Sequence, residues 1–174
     1  MSVYLKWGAL ALWAGALSVG MLLYSQQQLT LFDPDQRLLQ AAARPDFDQQ
    51  VVATLEASGI AAGSVVHFQR KDSCFCNTLT EPHQTQLAST LSEQGYQLSV
   101  VDIDSAPALA SLIPSTPAVA VVSQTGELRY LGPYATGYGC FTGKTLVDTI
   151  ARYASLTLPG AVINADAEGC FCHA

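Results

Sequence analysis

An uncharged run over residues 7–24, WGALALWAGALSVGMLLY, constrains this chain more than any other feature. As a helix rising about 1.5 Å per residue it reaches roughly 27 Å, close to a hydrocarbon core of about 30 Å. Tyr4 and Trp7 stand at one end and Tyr24 at the other, as interfacial aromatic belts require. A run spent in lipid cannot belong to a folded core. The residues beyond it, about 150 of them, must therefore build one domain by themselves. Lys6 precedes the run, and no positive charge comes after it until Arg37. The positive-inside rule then sets the N-terminus in the cytoplasm and the rest across the membrane. A cleaved signal peptide and a buried soluble helix are the alternatives. The first wants a shorter apolar region and an A-x-A site, and the second does not suit a segment apolar all round.

Composition narrows the rest. Eight Lys and Arg face 14 Asp and Glu, a formal net charge of −6. This balance argues against a nucleic-acid partner, which needs a basic face. With 49% hydrophobic residues, wholesale disorder is excluded. Of five cysteines, four fall in two copies of Cys-Phe-Cys: Cys74 with Cys76, and Cys170 with Cys172, the latter next to His173. The fifth is Cys140. Across a membrane from the cytoplasm, disulfides between them can persist.

Periodicity and breakers divide the chain into a transmembrane anchor (1–25), a tether (26–45), a domain (46–157) and a cysteine-containing tail (158–174). The tether carries a glutamine run, an Asp33-Pro34-Asp35 turn signal and a short helical stretch over 36–43. Asp46 is placed to cap a helix whose apolar face is Phe47, Val51 and Leu55. Residues 64–68, SVVHF, read as a buried strand leading into Cys74-Phe75-Cys76. Next comes a helical pattern over 77–94, with Pro82 either kinking it or marking its start. Residues 98–103 form a second strand, residues 106–112 a short helix, and residues 118–123 a third strand. A Thr125-Gly126 turn returns residues 127–131 as a hairpin partner. A glycine-rich aromatic loop covers 132–143. Thr142 opens a last helix with Leu146, Val147, Ile150 and Tyr153 as its stripe. The tail has no clear period. The expected fold class is α/β, a mixed sheet with helices on both faces. Its first two strands are parallel because a helix joins them, and the hairpin runs antiparallel to them.

This order, with a cysteine pair at a strand-to-helix turn, Pro82 in the helix beyond and Ser115-Thr116-Pro117 before the hairpin, resembles the thioredoxin-like superfamily. It is also similar to a membrane-tethered bacterial branch of it with a Cys-Phe-Cys motif. The resemblance implies a cis Thr116–Pro117 bond facing the cysteines, with the Thr116 backbone offered to an extended substrate segment. It also implies thiol–disulfide exchange with protein thiols or disulfides, without a cofactor, on the periplasmic side of the bacterial inner membrane. The motif departs from Cys-x-x-Cys: Ser73 takes the place of the first cysteine if Cys76 takes that of the second. Positions i and i+2 on a helix do not face each other, so a Cys74–Cys76 bridge is strained and oxidising.

The helix N-terminus favours a thiolate. Cys74 is then the exposed nucleophile and Cys76 the resolving thiol. The hairpin brings the Cys140 loop over the same end of the sheet, where Cys140 is a trap, a resolving partner, a metal ligand or a plain loop residue. The tail pair Cys170 and Cys172 is an accessory thiol pair that exchanges with the first pair, or a structural staple. Alternatively Cys74, Cys76, Cys170 and Cys172, with His173 or Cys140, bind copper or zinc. One-residue spacing suits zinc poorly, so copper is favoured. A third reading is a non-catalytic interaction domain. His67 reads as a core histidine and His83 as an exposed one. Tyr134, Tyr138 and Phe141 line a groove or simply pack on the sheet.

Overall fold

The structure, a computed structural model, describes residues 3–27, 29–70, 74–137, 139, 145–157 and 159–173. The expectations for Cys140, Tyr138, Phe141 and Thr142 lie outside the described residues. In chain order the elements are α1 (Val3–Gln27), β1 (Thr30–Leu31), α2 (Arg37–Ala42), α3 (Phe47–Ala57), β2 (Ser64–Gln69), α4 (Phe75–Ser92) and β3 (Gln97–Asp102). A 3₁₀ turn (Ile103–Ser105) leads to α5 (Pro107–Ala110), β4 (Ser115–Thr116), β5 (Ala118–Val122) and β6 (Leu128–Gly132). The chain closes with α6 (Val147–Ser155), β7 (Val162–Ile163), β8 (Glu168–Gly169) and β9 (Cys172–His173).

Helix α1 is apolar all round over residues 7–24. Its stretch Val3–Tyr24 is long and apolar enough to cross a membrane, with a mean hydropathy of 1.5 and none of it buried within the protein. The Ser18 hydroxyl inside it donates to the Ala14 carbonyl at 2.9 Å.

The main sheet has the order β3-β2-β5-β6-β7. Strands β2 and β3 are parallel, as the α4 crossover demands, with His67 opposite Val100. Strand β5 is antiparallel to β2, and β6 to β5. The alternation of side chains along the strands splits the interior in two. Val66, Phe68, Ala118, Ala120 and Leu131 face α3 and α5 through Val51, Leu55 and Leu109. Val65, Val119, Val121 and Tyr130 face α4 and α6 through Leu87, Leu91, Val147 and Ile150. The result is the expected mixed α/β sheet with helices on both faces.

Two segments differ from the sequence reading. The expected tether holds its expected short helix as α2, but it also contributes β1 and buries Phe32 and Leu38 in the larger core. The Asp33 carboxylate turns this segment by accepting from the backbone N–H groups of Arg37 and Leu39, both at 2.9 Å. The tail is likewise structured: β7 joins the main sheet beside β6, β8 pairs with β1, and β9 pairs with β4. Smaller differences have local causes. Asp46 precedes α3 but makes no side-chain cap. Helix α4 begins at Phe75 and runs through Pro82. Ile103 belongs to the 3₁₀ turn, whose Asp104 N–H donates to the Asp102 carboxylate at 3.1 Å.

Candidate functional site: a double-bridged cysteine cluster

Cys74 sits in extended conformation immediately before α4, and Cys76 lies in its first turn. Opposite them run the last residues of the chain. Cys74 is bonded to Cys172 and Cys76 to Cys170, with Cα separations of 5.9 and 5.6 Å. The two Cys-Phe-Cys tripeptides thus lie antiparallel, each cysteine bridged to its opposite number. Of the pairings the sequence left open, the bridge within Cys74-Phe75-Cys76 is not the one formed. The β4–β9 ladder brings Cys172 alongside Cys74, and the antiparallel run then sets Cys170 against Cys76.

The two phenylalanines take opposite roles. Phe171 points inward, 7% exposed, edge-on to Phe32 with ring centroids 5.2 Å apart. Phe75 is 69% exposed beside the bridges. Close packing continues at Gly169, where an added Cβ would stand 2.9 Å from the Phe171 ring.

The tail is also held without its sulfurs. Ser115 and Thr116 pair with His173 and Cys172 in the β4–β9 ladder. The Ser115 hydroxyl donates to the Phe32 carbonyl at 2.6 Å and lies 2.9 Å from His173 Nδ1. Arg70 donates to the His173 carbonyl at 2.6 Å and to the Asp104 carboxylate at 2.9 Å. Thr30 donates through its hydroxyl to the Phe171 carbonyl at 3.2 Å. The Phe32 N–H donates to the Ala167 carbonyl at 2.7 Å, and the Gly137 N–H donates to the Glu168 carbonyl.

The Thr116–Pro117 bond is cis. The Thr116 carbonyl oxygen lies 3.8 Å from Cys74 Sγ. The backbone expected to meet a substrate segment is therefore paired with the chain's own Cys172. Cys74, Cys76 and Cys170 are 9%, 7% and 5% exposed, while Cys172 is only half-buried. Cys74, expected to be exposed, is thus covered by the tail, and its bond to Cys172 is the outer of the two. The sulfurs of Cys74, Cys76 and Cys172 all lie within 4.8 Å of one another.

A cleft of about 250 Å³ opens beside Cys74, lined by His67, Gln69, Arg70, Asn77 and Glu81 among others. His67 is buried and shares a 3.2 Å hydrogen bond with the Tyr134 hydroxyl. Burial pulls the His67 imidazole down to about 4, so it is neutral at pH 7. Burial pushes the Tyr134 phenol up. Tyr134 packs on the sheet and does not line an open groove. His83, expected at the surface, is 6% exposed on the inner side of α4, and burial lowers its pKa.

Cys74, Cys76, Thr116, Pro117, Cys170 and Cys172 come together, with His173 at the rim; Cys140 lies outside the described residues. Sequence reasoning missed Phe32 and Arg70 and named Ser115 only within the Ser115-Thr116-Pro117 run, without a role.

A family model described as domain of unknown function (DUF6436) matches residues 43–174, and the chain belongs to that family. No curated protein and no solved structure matches it.

Proposed function

We propose that this chain is a membrane-anchored thiol–disulfide oxidoreductase of thioredoxin-like architecture, its domain held on the periplasmic face of a bacterial inner membrane by α1. One observation carries the reading: a cysteine pair at a helix N-terminus is bridged to a second, identical pair beside Thr116–Pro117.

In the oxidised chain, a partner thiolate attacks a sulfur of the outer Cys74–Cys172 bond. A mixed disulfide forms and one chain thiolate leaves. The partner's second thiol then breaks the mixed disulfide. The partner ends oxidised by two electrons, and the chain holds two thiols and the two protons. The reverse sequence reduces a partner disulfide. Cys74 suits the attacking role because the N-terminal dipole of α4 stabilises its thiolate. Because Cys74 Sγ and Cys76 Sγ lie within 4.8 Å, a freed Cys74 thiolate can attack Cys76 and displace Cys170. Exchange can then pass from the outer bond to the inner one, giving a store of four electrons. Exposed Phe75 offers an apolar contact to the incoming partner.

The test is differential alkylation and peptide mapping of the full chain across a glutathione redox titration. Cleavage after Lys71, Arg129, Lys144 and Arg152 puts Cys74 with Cys76, Cys140 alone, and Cys170 with Cys172 on separate peptides. We expect the Cys74–Cys172 crosslink to titrate reversibly as a two-electron couple, ahead of Cys76–Cys170. Two crosslinks that both resist the whole glutathione range would make the bridges structural staples and end the redox reading.

A further inference from the structure

The four bridged sulfurs have a second chemistry once their bonds are opened. We propose that the reduced chain holds one soft, thiophilic cation, Cu(I) in preference to Zn(II), through Cys74, Cys76 and Cys172, with Cys170 as the fourth sulfur at hand. Two equivalents of a dithiol, or two of a phosphine with water, supply the four electrons and four protons that convert both disulfides to thiols. Each thiol that then binds the cation releases its proton to solvent.

Geometry supports the site. A metal–sulfur bond of about 2.3 Å puts the sulfurs of a trigonal site about 4 Å apart. Cys74, Cys76 and Cys172 already lie within 4.8 Å of one another. Parting the bonded sulfurs to that spacing is a small rearrangement, not a new assembly.

The scaffold outlasts the bonds. The β4–β9 and β1–β8 pairs, the Phe171–Phe32 contact and the Arg70 and Ser115 hydrogen bonds all hold the tail through atoms other than sulfur. Reduction therefore leaves the tail cysteines facing α4. A tail held only by its bridges would swing away and take half the ligands with it.

The donor set selects the ion. Among the described residues, the candidate ligand atoms that cluster within 4.8 Å of one another here are all sulfur, which favours Cu(I) and Zn(II) over oxygen-seeking Mg(II) or Ca(II). Two nearby groups of other kinds are engaged: His173 Nδ1 with Ser115, and Asp104 with Arg70. A trio of sulfurs, and paired cysteines one residue apart, fit Cu(I) better than the tetrahedral zinc sites with two to four intervening residues. The cleft beside Cys74 gives the ion a path in.

The experiment takes the full chain in detergent, reduced with a phosphine under anaerobic conditions. A thiol count and circular dichroism establish that it is reduced and folded. Cu(I) is then titrated against bicinchoninate, with Zn(II) titrated in parallel. We expect the reduced chain to withhold one equivalent of Cu(I) and the oxidised chain none. Cys172→Ser should lose at least tenfold in affinity. The proposal is overturned if folded, reduced wild type leaves all copper with bicinchoninate. It is overturned equally if Cys172→Ser withholds as much as wild type, if Zn(II) binds in place of Cu(I), or if the reduced chain loses its fold. The oxidised-versus-reduced comparison needs no mutation. A glutathione titration without metal reports on the redox reading separately.

Discussion

His67 shows how one side chain ties the sheet to a condition of the solvent. It stands in the middle of β2, buried, bonded to the equally buried Tyr134. Its folded pKa is about 4, below the ordinary value of 6.5. Above pH 6.5 neither folded nor unfolded chain protonates it, and its contribution to stability is complete. As pH falls from about 6.5 towards 4, the unfolded chain takes up a proton that the folded chain refuses. Stability should fall by about 3 kcal/mol over that window, at 1.36 kcal/mol per pKa unit, and level off below it. His83, also lowered by burial, adds in the same direction. Thermal unfolding of the full chain between pH 7 and 5 measures this. His67→Gln should flatten the slope in that range, and an unchanged slope would assign it elsewhere. The core role of His67 was legible from its place in an apolar strand. The burial of His83 was not, because Pro82 beside it, read as either a kink or a helix start, left the face that His83 takes undefined.

Among the elements, the long strands and helices could be read from their period and the short helices α2 and α5 from the prolines beside them, but the two-residue strands could not. Strands β2, β3, β5 and β6 and helices α3, α4 and α6 each carry enough residues for an apolar repeat to show. Strands β1, β4, β7, β8 and β9 have two residues each, and two residues have no period. They exist because other segments lie beside them. For the same reason residues 26–45 read as a tether although Phe32 is wholly buried. The candidate site was half legible. Each Cys-Phe-Cys announced itself, but connectivity among five cysteines cannot be deduced from spacing, and only the β4–β9 register decides it. The structural role of residues 26–45 can be weighed by truncating one side chain. Phe32→Ala removes a ring packed against Phe171 and should destabilise the domain by about 3 kcal/mol, the usual cost of an emptied aromatic site. A denaturant midpoint unmoved by this change would return residues 26–45 to the status of a tether.

At the scale of the molecule, the two bridges are nested: Cys76–Cys170 lies inside the span closed by Cys74–Cys172, with sequence separations of 94 and 98. A single crosslink closing a loop of about 100 residues restrains the unfolded chain by about 4.7 kcal/mol. With one in place, the second closes only the small ring of the two tripeptides and adds little of that entropy. Removing the outer bridge in a Cys74→Ser/Cys172→Ser chain should therefore cost far less than the loop formula suggests. Removing all four sulfurs should cost about 4 kcal/mol or more. Unfolding of the two variants beside wild type, measured without reductant, decides it, and equal steps for the first and second bridge would refute the nesting argument. Nesting also shapes how the whole chain answers a reductant. Two electrons leave the girdle around the domain closed, because either bond alone completes it. Four electrons open it. On a non-reducing gel, a half-reduced population should migrate with the fully bridged chain, and the shift should appear only with the second bond. A gradual supply of electrons is thereby read out as a step, in the manner of a lock that needs two keys.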